Sequence, residues 1–142
     1  MSRLRAWDLL VVGAAGLAVA AVLVSGYRLN RSEAAVTEAI AQWAGINVQI
    51  ANEARGYLDQ QANNAAPGAE KVAVQAFAAC MQSAGRRAVD LEDEANLNRC
   101  EIEAAQLASG RGFELADAHQ AIAKQRQGLA QFIADRYAAY SD

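Results

Sequence analysis

Residues Leu9 to Gly26 read LLVVGAAGLAVAAVLVSG, eighteen consecutive positions without a charge. A helix of that length extends roughly 27 Å, about the hydrocarbon thickness of a bilayer. Inside lipid, such a segment can satisfy its backbone only as a helix. Trp7 and Tyr27 place an amphipathic ring at either end, where the membrane interface favours one. The segment predicts a single transmembrane signal-anchor helix over 9–27. Arg3 and Arg5 precede it while Arg28 and Arg31 follow it, so the basic flanks do not orient it by themselves. Residues 1–31 carry four Arg and one Asp, whereas residues 32–142 carry nine basic and fifteen acidic groups. The expected arrangement is a cytoplasmic tail over 1–8 and an acidic exported body over 28–142. Ala- and Arg-rich usage suggests a GC-rich bacterial genome, hence an inner-membrane protein with its body in the periplasm. A cleaved secretory signal is the competing reading, with Ala18-Val19-Ala20 or Val24-Ser25-Gly26 as the small-residue site. The apolar run is longer than a typical signal core. Gly13, Gly16 and Ala20 offer a small-residue face for helix packing within the membrane.

Beyond the anchor nothing alternates with period two, and apolar residues recur every three or four positions. Val36, Ile40, Trp43, Asn47, Ile50, Ala54 and Tyr57 form a heptad-like stripe broken only by Asn47. It predicts a helix over about 32–63, either capped by Ser32 or continuous with the anchor, and ending at Asn63-Asn64-Ala65-Ala66-Pro67-Gly68. A second helix over about 68–84 has Glu70 in its first turn and a seam of Ala73, Phe77, Cys80 and Ala84, with Gly85 as its stop. Asp90 with Asp93 resembles an N-cap and its reciprocal acid for a third helix over about 91–109. Arg86 to Val89 would link the two, unless one kinked helix runs through. After Gly110-Arg111-Gly112, a last helix over about 113–139 carries Leu115, Ala118, Ile122, Leu129, Phe132, Ile133 and Tyr137 on one side. The expected fold class is all-α: an N-terminal single transmembrane helix followed by a small antiparallel three- to four-helix bundle.

Of the 142 residues 54% are hydrophobic but only 6% aromatic, because so many are Ala. Each Ala buries little surface, so the core is expected to be thin and to need a disulfide, a partner or self-association. A net charge of −3 argues against a general nucleic-acid binder, and the apolar content argues against a disordered chain. Cys80 and Cys100 are the whole cysteine complement. In an exported body an even count suggests a disulfide, here closing a loop of roughly 21 residues worth about 3 kcal/mol. An intermolecular bridge and free buried thiols are the alternatives. The spacing matches neither a C-x-x-C redox motif nor a haem attachment motif.

His119 is the only histidine, and Glu-x-x-His does not occur, so it reads as a partly exposed helix residue. Asp90, Glu92, Asp93 and Glu94 lack calcium-loop spacing and read as a solvated helix start. Asn47 reads as a hydrogen-bonding or exposed polar residue ahead of a register-setting one. No nucleophile–base set, phosphate loop or basic-aromatic stripe is present, so no catalytic, cofactor-binding or metal-ligating residue is expected. Trp43, Ile46, Ile50, Tyr137 and Tyr140 are the expected partner contacts.

The start MSRLRAWDLLVV, the anchor and the pair Cys80/Cys100 resemble phage inner-membrane spanins in layout. That resemblance implies a lysis or envelope-fusion factor forming cysteine-linked dimers. The Ala-rich body with Gly breaks departs from the spanins' long charged coiled coil. Glu53-Ala54-Arg55-Gly56-Tyr57 is similar to part of the first helix of LemA-type proteins, which follow an anchor with a helical bundle, but the Asp-Leu-Ile-Pro segment upstream is absent. The residues themselves point first to a non-enzymatic accessory or scaffolding subunit of a bacterial envelope membrane-protein assembly. Its expected partners are other membrane or envelope proteins, a second copy of itself, and the bilayer through 9–27. A sensor-type bundle enclosing a small molecule is a further alternative.

Overall fold

The computed structural model describes the backbone of residues 6–141 and the side chains of residues 18–141. Among the described residues the chain is all-helical: α1 (Ala6–Asn64), α2 (Ala69–Gln82), α3 (Ala88–Leu91), α4 (Glu94–Gly110) and α5 (Leu115–Ala139). The chain divides into two units between Gln42 and Trp43.

The first unit is the α1 stretch up to Gln42, exposed at every described side chain. Of the charge-free run Leu9–Gly26, only the part from Ala18 onward has described side chains. Among the described residues no helix is long and apolar enough to cross a membrane. The packing expected of Gly13 and Gly16 lies outside the described side chains, while Ala20 is exposed. No break follows at Ser32, in contrast to the capped start offered above. The Ser32 hydroxyl donates to the Leu29 carbonyl at 2.7 Å and Thr37 to the Glu33 carbonyl at 2.9 Å. Both side chains close on carbonyls of their own helix, leaving nothing to cap a new one.

The second unit is a helical bundle. In it α5 runs antiparallel to α1, since Tyr137 meets Asn47 while Phe132 meets Tyr57. It is also antiparallel to α4, where Arg126 reaches Glu94 and His119 reaches Glu101. α1 ends ahead of Pro67, whose ring disfavours helix in the preceding residue, and Gly68 at φ 105° turns the chain into α2. Phe77, Ile50, Leu58, Met81, Leu91, Ile122, Leu129 and Ile133 are the large, fully buried side chains. Among the described residues, ten of the twenty-one buried hydrophobic ones are Ala, so the helices pack through small side chains around few large ones. Where the Tyr57 ring lies across α5 a glycine is required. A Cβ on Gly128 of α5 would run into the Tyr57 hydroxyl, and that ring is fixed by stacking on Phe132 with centroids 4.9 Å apart.

The corner between α2 and α4 differs from the single third helix over 91–109. Asp90 does not cap that helix. Its carboxylate accepts from the backbone N–H of Arg86 at 3.1 Å and of Arg87 at 2.9 Å, closing the one-turn α3. Asp93 is the N-cap of α4, accepting from the Ala95 N–H at 2.8 Å. Gly85, at φ 154°, leaves room for Asp90 where any Cβ would collide. Asn96 then bridges the corner, donating to the carbonyls of Ala84 at 3.2 Å and Asp90 at 2.9 Å.

Candidate functional site

Three side-chain constellations in the bundle carry chemistry that can be read. The first joins α1 to α5. Trp43 stacks on Tyr137 with ring centroids 5.5 Å apart. Tyr137 donates its hydroxyl proton to Asn47 Oδ1 at 2.8 Å, and Asn47 Nδ2 donates to the Trp43 carbonyl at 3.1 Å. Asn47 is 4% exposed, so this triad satisfies a buried amide that would otherwise be costly. It is the hydrogen-bond reading of Asn47 between helices of one chain. One turn on, Tyr140 donates to Glu53 Oε1 at 2.9 Å, and Arg136 Nε lies 3.1 Å from Glu53 Oε2. That second contact is ionic without hydrogen-bond alignment. The Arg136 guanidinium also sits 5.0 Å above the Phe132 ring. Burial, helped by the Glu92 charge, raises the Tyr137 phenol above its ordinary value, and the hydrogen bond to Glu53 raises that of Tyr140.

These contacts re-sort the residues expected to meet a partner. Ile50 is fully buried among the core side chains and is a packing residue of this chain. Ile46 is half-buried against the same core. Tyr137 is engaged on both its face and its hydroxyl. Trp43 remains 52% exposed although one face is stacked, and Tyr140 is 36% exposed. Trp43 and Tyr140 therefore keep free surface, and Ile50 has none.

The second constellation is the crosslink. The sulfurs of Cys80 and Cys100 are at bonding distance, with Cα atoms 5.4 Å apart, and tie α2 to α4. Cys100 is fully buried, whereas Cys80 is half-exposed beside Arg99, whose Nη1 lies 3.4 Å from the Cys80 sulfur. Both cysteines are used within the chain, and among the described residues no free cysteine remains.

The third is a clamp whose ionisable members the sequence names separately, except Arg126, and does not bring together. Arg126 of α5 reaches Glu94 at 2.8 Å, Asn98 at 3.0 Å and Glu101, all on α4. His119 meets Glu101 at 3.0 Å from the other side. Burial pushes the Glu101 carboxyl up, but hydrogen bonds from Arg126 and His119, with their charges, outweigh it and hold the group below its ordinary value. No spacing rule marks these residues, because they come from two helices brought together only by packing. Among the described residues no group of His, Cys, Asp or Glu is placed to hold a metal ion.

The surface hollows are open grooves. One of them, of about 510 Å³, is lined by Pro67, Glu70, Asp117, Gln120 and Lys124 among others. Comparison of the chain with protein-family models, with curated proteins and with solved structures finds no match.

Proposed function

We propose that the chain is a non-enzymatic, single-pass membrane protein whose helical bundle is an accessory or scaffolding subunit of a bacterial envelope assembly. Residues 9–27 anchor it in the inner membrane, with the N-terminus cytoplasmic and the bundle periplasmic. The observation that carries this reading is the apolar surface α1 leaves uncovered. Val19, Val22, Leu23, Val24, Tyr27, Leu29, Val36, Ile40 and Trp43 are each more than half exposed. Nine large exposed apolar side chains along one helix need a medium or a partner to cover them. Lipid accounts for those continuous with the charge-free segment, and protein partners, a second copy of this chain among them, for those beyond Arg28. The intrachain crosslink fits a structural role for the cysteines better than the intermolecular bridges a spanin-type factor would use. The groove beside Pro67, Glu70 and Lys124 lies open on the surface rather than enclosed, which suits a sensor-type bundle less well.

The test is a mild-detergent purification of tagged full-length protein from its native membrane, analysed with and without reductant. The expected result is a defined set of co-purifying membrane proteins and no reductant-sensitive dimer. Recovery in the soluble fraction would refute the anchor. A covalent dimer reversed by reductant would move the assignment to the spanin-type reading.

A further inference from the structure

The exposed face of α1 has a seven-residue order that lipid alone would not require. Val22, Leu29 and Val36 repeat every seven positions and are 71%, 64% and 58% exposed. Three residues after each stands a small one, Ser25, Ser32 or Ala39, all exposed. In heptad terms the large residues hold position a and the small ones position d, a pattern that lets two helices approach closely. Ser32 has already spent its proton on the Leu29 carbonyl and asks nothing of a neighbour. In this register Arg28 falls at g and Glu33 five residues later at e. That is the spacing at which parallel partners exchange ion pairs across their interface. None of Arg28, Arg31, Glu33 and Glu38 has an ion pair within the chain among the described residues, but only Arg28 and Glu33 flank the seam, since Arg31 and Glu38 fall at position c.

The geometry points to a second copy of this chain as the occupant of that face, paired parallel and in register through Val22, Leu29 and Val36. Two symmetry-related Arg28–Glu33 ion pairs close the flanks. The pairing rests on the membrane-anchored reading in one respect: two copies held in one bilayer enter it with the same polarity. The charges then choose the partner. An identical helix supplies a Glu33 for each Arg28 and an Arg28 for each Glu33, and a strict seven-residue repeat wraps the pair left-handed. An unrelated helix has no reason to offer the same pair.

Face-specific crosslinking in membranes tests this on the full-length chain, leaving the Cys80–Cys100 bridge intact. Single substitutions Ser32→Cys and Ala39→Cys are compared under mild oxidation with Ala34→Cys and Ala41→Cys, which lie on the opposite face. Dimer is expected from the first two at several times the yield of the last two. Arg28→Glu or Glu33→Arg, added to Ser32→Cys, should each lower the yield about fivefold, and the two together should restore it. Equal yields from both faces, no dimer from Ser32→Cys and Ala39→Cys, or no recovery in the double reversal would overturn the pairing. Alkaline carbonate extraction of the same membranes reads the anchor separately. Protein that stays in the membrane without face-specific dimer sinks the pairing alone; protein released by carbonate sinks the anchor.

Discussion

Removing the Cys80–Cys100 bridge should cost the bundle a substantial share of the roughly 5–15 kcal/mol by which small domains are stable. The cysteines are 20 residues apart in sequence, so the crosslink closes a loop of roughly 21 residues in the unfolded chain. In the chain-entropy account such a loop is worth about 11 cal/mol/K, or about 3 kcal/mol at 25 °C. For a bundle of around 100 residues each kcal/mol moves Tm by about 4–8 °C, so opening the bridge should lower Tm by about 12–24 °C. Two perturbations separate crosslink from packing. Reduction of the wild-type chain breaks the bond but keeps both sulfurs. The Cys80→Ser/Cys100→Ala variant also removes the fully buried Cys100 sulfur and should lose about 1 kcal/mol more. Full-length protein in mild detergent is the sample. The readout is near-ultraviolet circular dichroism, which follows the Trp43–Tyr137 stack and ignores any helix that persists in the micelle. A shift below about 4 °C in the reduced wild type would refute the reasoning, since the crosslink would then not be constraining the unfolded chain.

Tyr137→Phe should destabilise the bundle by about 1–2 kcal/mol by leaving the buried Asn47 carbonyl without its donor, read from chemical denaturation at the same near-ultraviolet signal. The helix-interior glycines should split in sign. Gly45→Ala meets open space and should stabilise by about 0.5–1 kcal/mol, whereas Gly128→Ala strikes Tyr57 and should cost about 1–3 kcal/mol in the same assay. On the acid side, the Arg87 side-chain hydrogen bond chiefly holds the Asp90 carboxyl below its ordinary value, and Glu101 is likewise held down. The stability these two carboxylates contribute is present above the ordinary carboxylate range and is lost as pH falls through their lower folded values. Thermal unfolding should therefore be steepest in pH below about 4, and Arg87→Met should shrink that acid dependence. Burial raises Glu92, which acts in the opposite sense, favouring the fold below the ordinary range and less so as pH rises through its folded value.

Helical periodicity makes the all-helical composition legible without any tertiary information, although not the one-turn α3 or the continuity of α1 through Ser32. Pro67-Gly68 and Gly110-Arg111-Gly112 mark turns because proline and glycine restrict or free the backbone locally, and the observed helices stop within a few residues of both. The seam of α5 is read correctly at Ala118, Ile122, Leu129 and Ile133, all buried, while Leu115 at its start is left 47% exposed. The corner at 85–93 is read less well. Asp90 and Asp93 are both competent caps, and only the fold of the corner decides that Asp90 closes α3 while Asp93 starts α4.

Local chemistry by itself determined the charge-free segment, the turns, the helical faces and the cysteine count. It could not say which end of the stripe along α1 would be covered. Val36, Ile40, Trp43, Asn47 and Ile50 form one continuous pattern in sequence, yet Val36 and Ile40 are exposed while Asn47 and Ile50 are buried. Nor could it pair Tyr137 with Asn47 across 90 residues, or set Arg126 between Glu94 and Glu101. Periodicity reports which side of a helix is apolar, because that follows from 3.6 residues per turn. Which neighbour covers that side, and where along its length the covering stops, depends on how far each packed helix extends, and only the tertiary structure decides it.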